Sequence, residues 1–159
     1  MYCFIRYPSP LGTLTVAEEK GALTTLVIEG QKYADRHLAG EGQEEETPVL
    51  RAAARWLDAY FAGENPAVST LPLAPAGTAF QQRVWQELRR IPYGETESYG
   101  ALAARLGSSA RAVGAAVGRN PLSILIPCHR VLAADGSLTG YAGGLANKEK
   151  LLRLEGSLG

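Results

Sequence analysis

A chain of 159 residues, 46% apolar and 20% charged, has enough length for one large or two small packed cores; it has no apolar run near the roughly 20 residues that span a bilayer. Its two cysteines and two histidines are too few for a disulfide framework or a zinc cluster, so a cytoplasmic protein without metal is expected. Net charge is zero but unevenly spread, with 6 Lys+Arg against 10 Asp+Glu in residues 1–76 and 10 against 6 in residues 77–159.

The start, Met1-Tyr-Cys-Phe-Ile-Arg, has no signal-peptide layout. Cys3 to Tyr7, Thr13 to Ala17 and Leu23 to Ile28 read as three antiparallel strands. The turns between them are Ser9-Pro-Leu-Gly and Lys20-Gly21. Cys3 is expected to be buried and His37 to lie on the surface. Residues 39–46 are polar and acidic and read as a loop. From Thr47 to Ala62 the apolar residues Leu50, Ala53, Ala54, Leu57 and Phe61 have helical spacing, closed by Gly63. Residues 63–77, with Pro66, Pro72 and Pro75, are the best linker candidate.

Thr78-Ala-Phe-Gln81 is a capping box that opens another helix, ended by Pro92. Ser98 can cap a helix running to Gly107, and Ser108-Ser109 a second from Ala110 to Val117. Two short helices joined by a Gly-Ser turn read as a helix-turn-helix. In the second, every side chain but Arg111 is small or aliphatic, which suits either close approach to another surface or simple core packing. Asn147 can cap a last helix from Lys148 to Leu154. From Arg83 to Arg130 the cations are all arginine, seven of them, opposed only by Glu87, Glu95 and Glu97. That asymmetry fits a polyanion-facing half as well as an ordinary solvated surface.

Between the last two helices stands Ile126-Pro127-Cys128-His129-Arg130-Val131. A thiolate, not a thiol, is the nucleophile, so a reactive cysteine needs a base or a positive charge nearby. Cys128 has both types of neighbour in sequence. A lone Cys-His pair also fits a buried structural thiol beside a core histidine.

Five blocks, in one order, remove that ambiguity. They are Arg111-Ala-Val-Gly114, Asn120-Pro121, Ile126-Pro-Cys-His-Arg-Val131, Gly140-Tyr141-Ala-Gly-Gly144 and Lys148-x-x-Leu-Leu-x-x-Glu155-Gly156. Together they resemble the O6-alkylguanine-DNA alkyltransferase family, the methylated-DNA–protein-cysteine methyltransferases, over residues 78–159. The resemblance implies a single-turnover transfer of an alkyl group from guanine O6 in duplex DNA to Cys128. His129 would be the base, acting through a water, Glu155 its carboxylate partner, and Asn120 the tie between the active-site turn and the helix-turn-helix. Tyr99, Val131, Tyr141 and Ala142 would line the substrate pocket. Arg111 would fill the gap left by the flipped base. The DNA-facing set it implies also includes Ala112, Gly114, Ala115, Arg119 and Arg130. No cofactor is implied, O4-alkylthymine is a second candidate lesion, and a monomer is expected. The implied fold is α+β, with an N-terminal antiparallel sheet and helix (residues 1–76). A mostly helical DNA-binding and alkyl-transfer domain carrying the helix-turn-helix would follow (residues 77–159).

Overall fold

Three β-strands open the chain in the computed structural model, which describes residues 1–158. Gly159, the last residue of the expected C-terminal domain, lies outside the described residues. β1 (Tyr2–Ser9), β2 (Gly12–Glu19) and β3 (Ala22–Ile28) form the antiparallel meander. The β2–β3 loop is Lys20 and Gly21, at φ 53° and 81°. Positive φ at both loop positions gives a tight hairpin whose twist matches that of its strands.

Residues 39–46 depart from the expected loop, because Gly42–Glu44 is a short strand, β4, parallel to β1. The sheet order is β3-β2-β1-β4, so the sheet is mixed rather than purely antiparallel. Its acidic residues blunt an exposed edge, the other common use of such composition. The crossover into β4 holds one helical turn that the sequence reading omits, α1 (Ala34–His37). Cys3 is only half-buried, with its thiol 3.5 Å from Glu45 Oε2. His37 is half-buried rather than on the surface.

α2 (Pro48–Phe61) starts with Thr47 Oγ1 accepting from the Leu50 amide, and Pro48 occupies the first turn. It lays Leu50, Ala53, Trp56, Leu57 and Tyr60 against the sheet. Leu50 and Leu57 are fully buried, worth about 1.5–3 kcal/mol each. That packing, more than local propensity, holds a helix of this length.

The proline-rich stretch 63–77 runs beside β3 rather than free. The Leu23 amide donates to Pro72 O and the Ala74 amide to Leu23 O, both at 2.8 Å. The same edge receives the segment that leads to Cys128. There the Leu26 amide donates to Pro121 O (2.8 Å) and the Ser123 amide to Leu26 O (3.1 Å). The N-terminal sheet is thus the floor on which the Cys128 segment is fixed.

α3 (Ala79–Leu88) carries the full Thr78–Gln81 capping box. α4 (Tyr99–Leu106) and α5 (Ala110–Gly118) form the helix-turn-helix, capped by Ser98 and Ser109. Gly107 takes φ 63° at the turn, a conformation that other residues reach only with strain. Trp85 Nε1 of α3 donates to Ala116 O (2.9 Å) and so fixes α5. β5 (Glu97–Ser98) pairs in parallel with β6 (Val131–Leu132), tying the head of α4 to the residues just after Cys128. α6 (Leu145–Leu154) begins two residues before Asn147 and follows Gly144. Asn147 is therefore no cap, and its side chain donates back to Gly143 O (2.8 Å). Among the described residues no helix is long and apolar enough to cross a membrane.

Candidate active site

The turn before Cys128 is held by a single amide side chain. Asn120 Nδ2 donates to Ile126 O at 2.8 Å, and Asn120 Oδ1 accepts from the Leu122 amide at 3.0 Å. Asn120 lies two residues past the end of α5, so this side chain joins the helix-turn-helix to the Cys128 turn. Within the turn Ile124 sits at φ 72°. A β-branched residue stays in that region only where its surroundings over-determine it, and such strain clusters at functional sites.

Cys128 is 4% exposed and opens a short 3-10 turn with His129 and Arg130. Burial pushes its thiol pKa up, while the Asn120 amide, the Lys148 ammonium and the Tyr141 side chain pull it back down. Lys148 is fully buried. Its Nζ donates to Val131 O (2.5 Å) and Thr139 O (2.8 Å), and burial lowers its pKa to about 8. It is still mostly protonated at neutral pH and stabilises a thiolate.

His129 is wholly buried, and its Nε2 lies 2.7 Å from Glu155 Oε2. Arg130 donates to the same carboxylate through Nε (2.7 Å to Oε1) and Nη2 (3.1 Å to Oε2). Burial raises the Glu155 pKa, but His129 and then Arg130 outweigh it and hold the carboxyl well below its usual range. An ionised Glu155 can only accept, so the hydrogen bond assigns the proton to His129 Nε2. Burial lowers the pKa of His129 and favours the neutral ring. Nδ1 is then left with a free lone pair, and it has no hydrogen-bond partner. Among the described residues no hydrogen bond joins Cys128 to His129 directly.

Two side chains without an expected role complete the centre. Lys148 belongs to the quoted motif. Tyr60, from α2, donates to Glu155 Oε2 at 2.5 Å. Burial and then the Glu155 charge raise its pKa, so it stays a donor. Tyr60→Phe keeps the stack on Trp56 (centroids 5.2 Å apart) and removes only this bond. It is expected to cost about 1.5–3 kcal/mol in urea unfolding, the usual range for a hydrogen bond to a charged group. A loss below ~0.5 kcal/mol would mean that Glu155 does not need the hydroxyl.

A cavity of about 620 Å³ opens beside this centre. Tyr99, Tyr141 and Ala142 line it, as do Arg111, Gly114, Ala115 and Arg119 from α5 and its end. Tyr99 and Tyr141 also neighbour Cys128, whose negative charge helps to raise both phenol pKa values after burial. The Tyr141 hydroxyl is buried without a hydrogen-bond partner. Tyr99 donates to Gly140 O (3.2 Å), and its ring packs over Gly114, where an added Cβ would lie 3.9 Å away. Val131, expected in the pocket wall, is fully buried and does not line this cavity, and neither does Ala112, half-buried in the first turn of α5. The structure does not bring Arg130 to this cavity. Besides holding Glu155, it donates through Nη1 to Ile91 O (2.6 Å) and borders a separate cavity of about 360 Å³ with Tyr60 and Pro127. No group of three His, Cys, Asp or Glu among the described residues could hold a metal ion.

A buried thiol, a carboxylate-held imidazole and a cavity edged by a helix-turn-helix together suit nucleophilic chemistry on an extruded base. The comparisons with known proteins agree. Residues 3–75 match the ribonuclease-like domain of 6-O-methylguanine DNA methyltransferase, and residues 79–157 match its DNA binding domain. A methylated-DNA–protein-cysteine methyltransferase of Haemophilus influenzae is 46% identical over 151 residues, covering 94% of this chain and 83% of that protein. Its namesake in Mycobacterium leprae is 48% identical over 149 residues, covering 92% and 88%. The crystal structure of Mycobacterium tuberculosis OGT in complex with DNA has a TM-score of 0.87 at 43% identity, covering 98% of this chain and 93% of that one. On motif, geometry and likeness alike, the chain belongs to the 6-O-methylguanine DNA methyltransferase family.

Proposed function

We propose that this protein repairs DNA by moving the alkyl group of O6-alkylguanine irreversibly onto Cys128. The observation that carries the reading is the bare Nδ1 of a buried, Glu155-held His129 next in chain to a buried cysteine. In the reaction the Cys128 proton passes through a water to Nδ1. The thiolate sulfur bonds to the alkyl carbon as the carbon–O6 bond breaks, and the electron pair returns to guanine. The Tyr99 hydroxyl turns from Gly140 O to the leaving base and donates its proton to it, and the imidazolium of His129 returns the thiol proton through water to restore the phenol, so one proton in all passes from Cys128 to guanine. The product thioether has no good leaving group, so each molecule acts once. Asn120 holds the turn, while Tyr141 and Ala142 shape the pocket.

Guanine O6 is buried in a duplex, so the nucleotide must be extruded at a cost of a few kcal/mol. The small residues Ala112, Gly114 and Ala115 let α5 lie deep in the minor groove, and Arg119 contacts phosphate. Residues 1–76 serve as the scaffold and residues 77–159 carry the chemistry. The protein acts as a cytoplasmic monomer, and O4-alkylthymine, with the same alkyl–oxygen bond, is a second substrate. The test is stoichiometry: lesions removed from O6-methylguanine duplex should plateau at one per protein molecule. Continued turnover would contradict the reading.

Arg111, exposed at the start of α5, is assigned to the gap left by the extruded base, where a guanidinium can stack and hydrogen-bond the orphaned partner. Arg111→Ala should slow repair of duplex DNA by at least ~10-fold, equal to about 1.4 kcal/mol. Reaction with free O6-benzylguanine, which needs no extrusion, should fall far less. Equal losses on both substrates would remove Arg111 from that step.

A further inference from the structure

The wall of the 620 Å³ cavity is not built by the helix-turn-helix alone, since Lys32 and Tyr33 of the N-terminal half also line it. No aspartate or glutamate lines it, while Lys32, Arg111 and Arg119 do. None of these three, nor Arg36 nearby, is in an ion pair among the described residues. Such a rim attracts an anion that spans both halves.

The 31–37 loop is held firmly in that position. The Lys32 amide donates to Ala142 O (3.0 Å) in the opposite wall. Gln31 Oε1 accepts from the Ile28 amide (3.0 Å) and from Ser123 Oγ (3.1 Å), on the segment leading to Cys128. Tyr33 adopts φ 65°, a strained conformation for a residue other than glycine, and the residue is 39% exposed. The Arg119 guanidinium lies 4.1 Å from the centroid of that ring, and the Arg36 guanidinium 5.8 Å. Tyr33 thus gathers cations from α5 and from the loop around one exposed face.

We propose that the 31–37 loop is a second DNA-contacting element: Lys32 and Arg36 bind backbone phosphates of the strand that carries the extruded nucleotide, and Tyr33 positions Arg119 for the same strand. The proposal rests on the DNA-repair reading above and gives the N-terminal half a part in substrate binding. A polyphosphate backbone fits because the cations come from both halves, Lys32 and Arg36 from the N-terminal segment and Arg111 and Arg119 from α5 and its end.

The test measures binding of the full chain to undamaged duplex as a function of salt, a readout independent of alkyl transfer. Each lost phosphate contact reduces the slope of log affinity against log salt by about 0.9. The double variant Lys32→Ala/Arg36→Ala should therefore lower the slope by nearly two relative to wild type. Arg51→Ala, which removes an exposed cation from α2, should leave it unchanged. The charge-keeping pair Lys32→Arg/Arg36→Lys should retain the wild-type slope, which separates charge from any folding defect. Tyr33→Ala should weaken binding by about threefold through loss of the cation–π contact. An unchanged slope in the double alanine variant, an equal fall in Arg51→Ala, or a fall in the charge-keeping pair would each overturn the proposal. If the proposed alkyl transfer itself fails, wild-type Cys128 stays unmodified while these slopes are unaffected.

Discussion

Glu155→Gln is expected to be among the most damaging substitutions in the chain. The Glu155 side chain is fully buried, and its carboxylate serves Tyr60, His129 and Arg130 at once. An amide has the same shape but no charge, so the guanidinium of Arg130, 11% exposed, loses its counter-ion. Removing one partner of a buried pair costs about 3–5 kcal/mol, mostly from the charge left behind. The amide NH2 also competes for position against the N–H and O–H donors already there. Denaturant unfolding should show the loss, and a change below ~1 kcal/mol would mean that the network does not carry stability.

The pH dependence has a definite sign. The folded pKa of Glu155 lies below its ordinary 4.5, at about 2, so the unfolded chain takes up the proton first. Its contribution is fully present above 4.5 and is lost as pH falls toward 2. His129, also depressed, adds in the same direction below its ordinary value of 6.5. Glu155→Gln should therefore flatten the acid limb of stability between pH 4.5 and 2.

His129→Ala is expected to slow alkyl transfer at pH 7 by at least ~100-fold, the low end of what a positioned base contributes. DNA binding should change far less, because His129 is buried and cannot reach the duplex. Since burial raises the Cys128 pKa, little thiolate forms without the base. The variant should regain rate as pH rises, in step with the thiolate fraction, whereas wild type should lose rate only on the acid side. A variant as fast as wild type at pH 7 would show that His129 is not the base.

The sequence made some of this legible and hid the rest for identifiable reasons. Helix ends were readable because Ser98, Ser109 and the Thr78–Gln81 box act locally. The His129–Glu155 pair followed only from resemblance, as 26 residues separate the two. Tyr60 meets Glu155 across 95 residues, and no local pattern marks a tyrosine on an apolar helix face as a donor to a distant carboxylate. Arg130 is DNA-facing in the set that the resemblance implies, but the buried Glu155 carboxylate beside it draws the guanidinium inward. β4 was hidden by its acidity, which marks an edge strand and a loop equally. Asn147 is a plausible cap in sequence, but the helix starts at Leu145, so Asn147 lies inside its first turn and its side chain donates back to Gly143 O.

The central claim is covalent, so the intact mass of the protein tests it most directly. After incubation with duplex DNA containing O6-methylguanine, the whole protein population should gain one methylene equivalent and no more. Peptide mapping should place that gain on Cys128, and Cys128→Ser should show none. Repaired DNA with an unaltered protein mass, or a methyl group on another residue, would contradict the account.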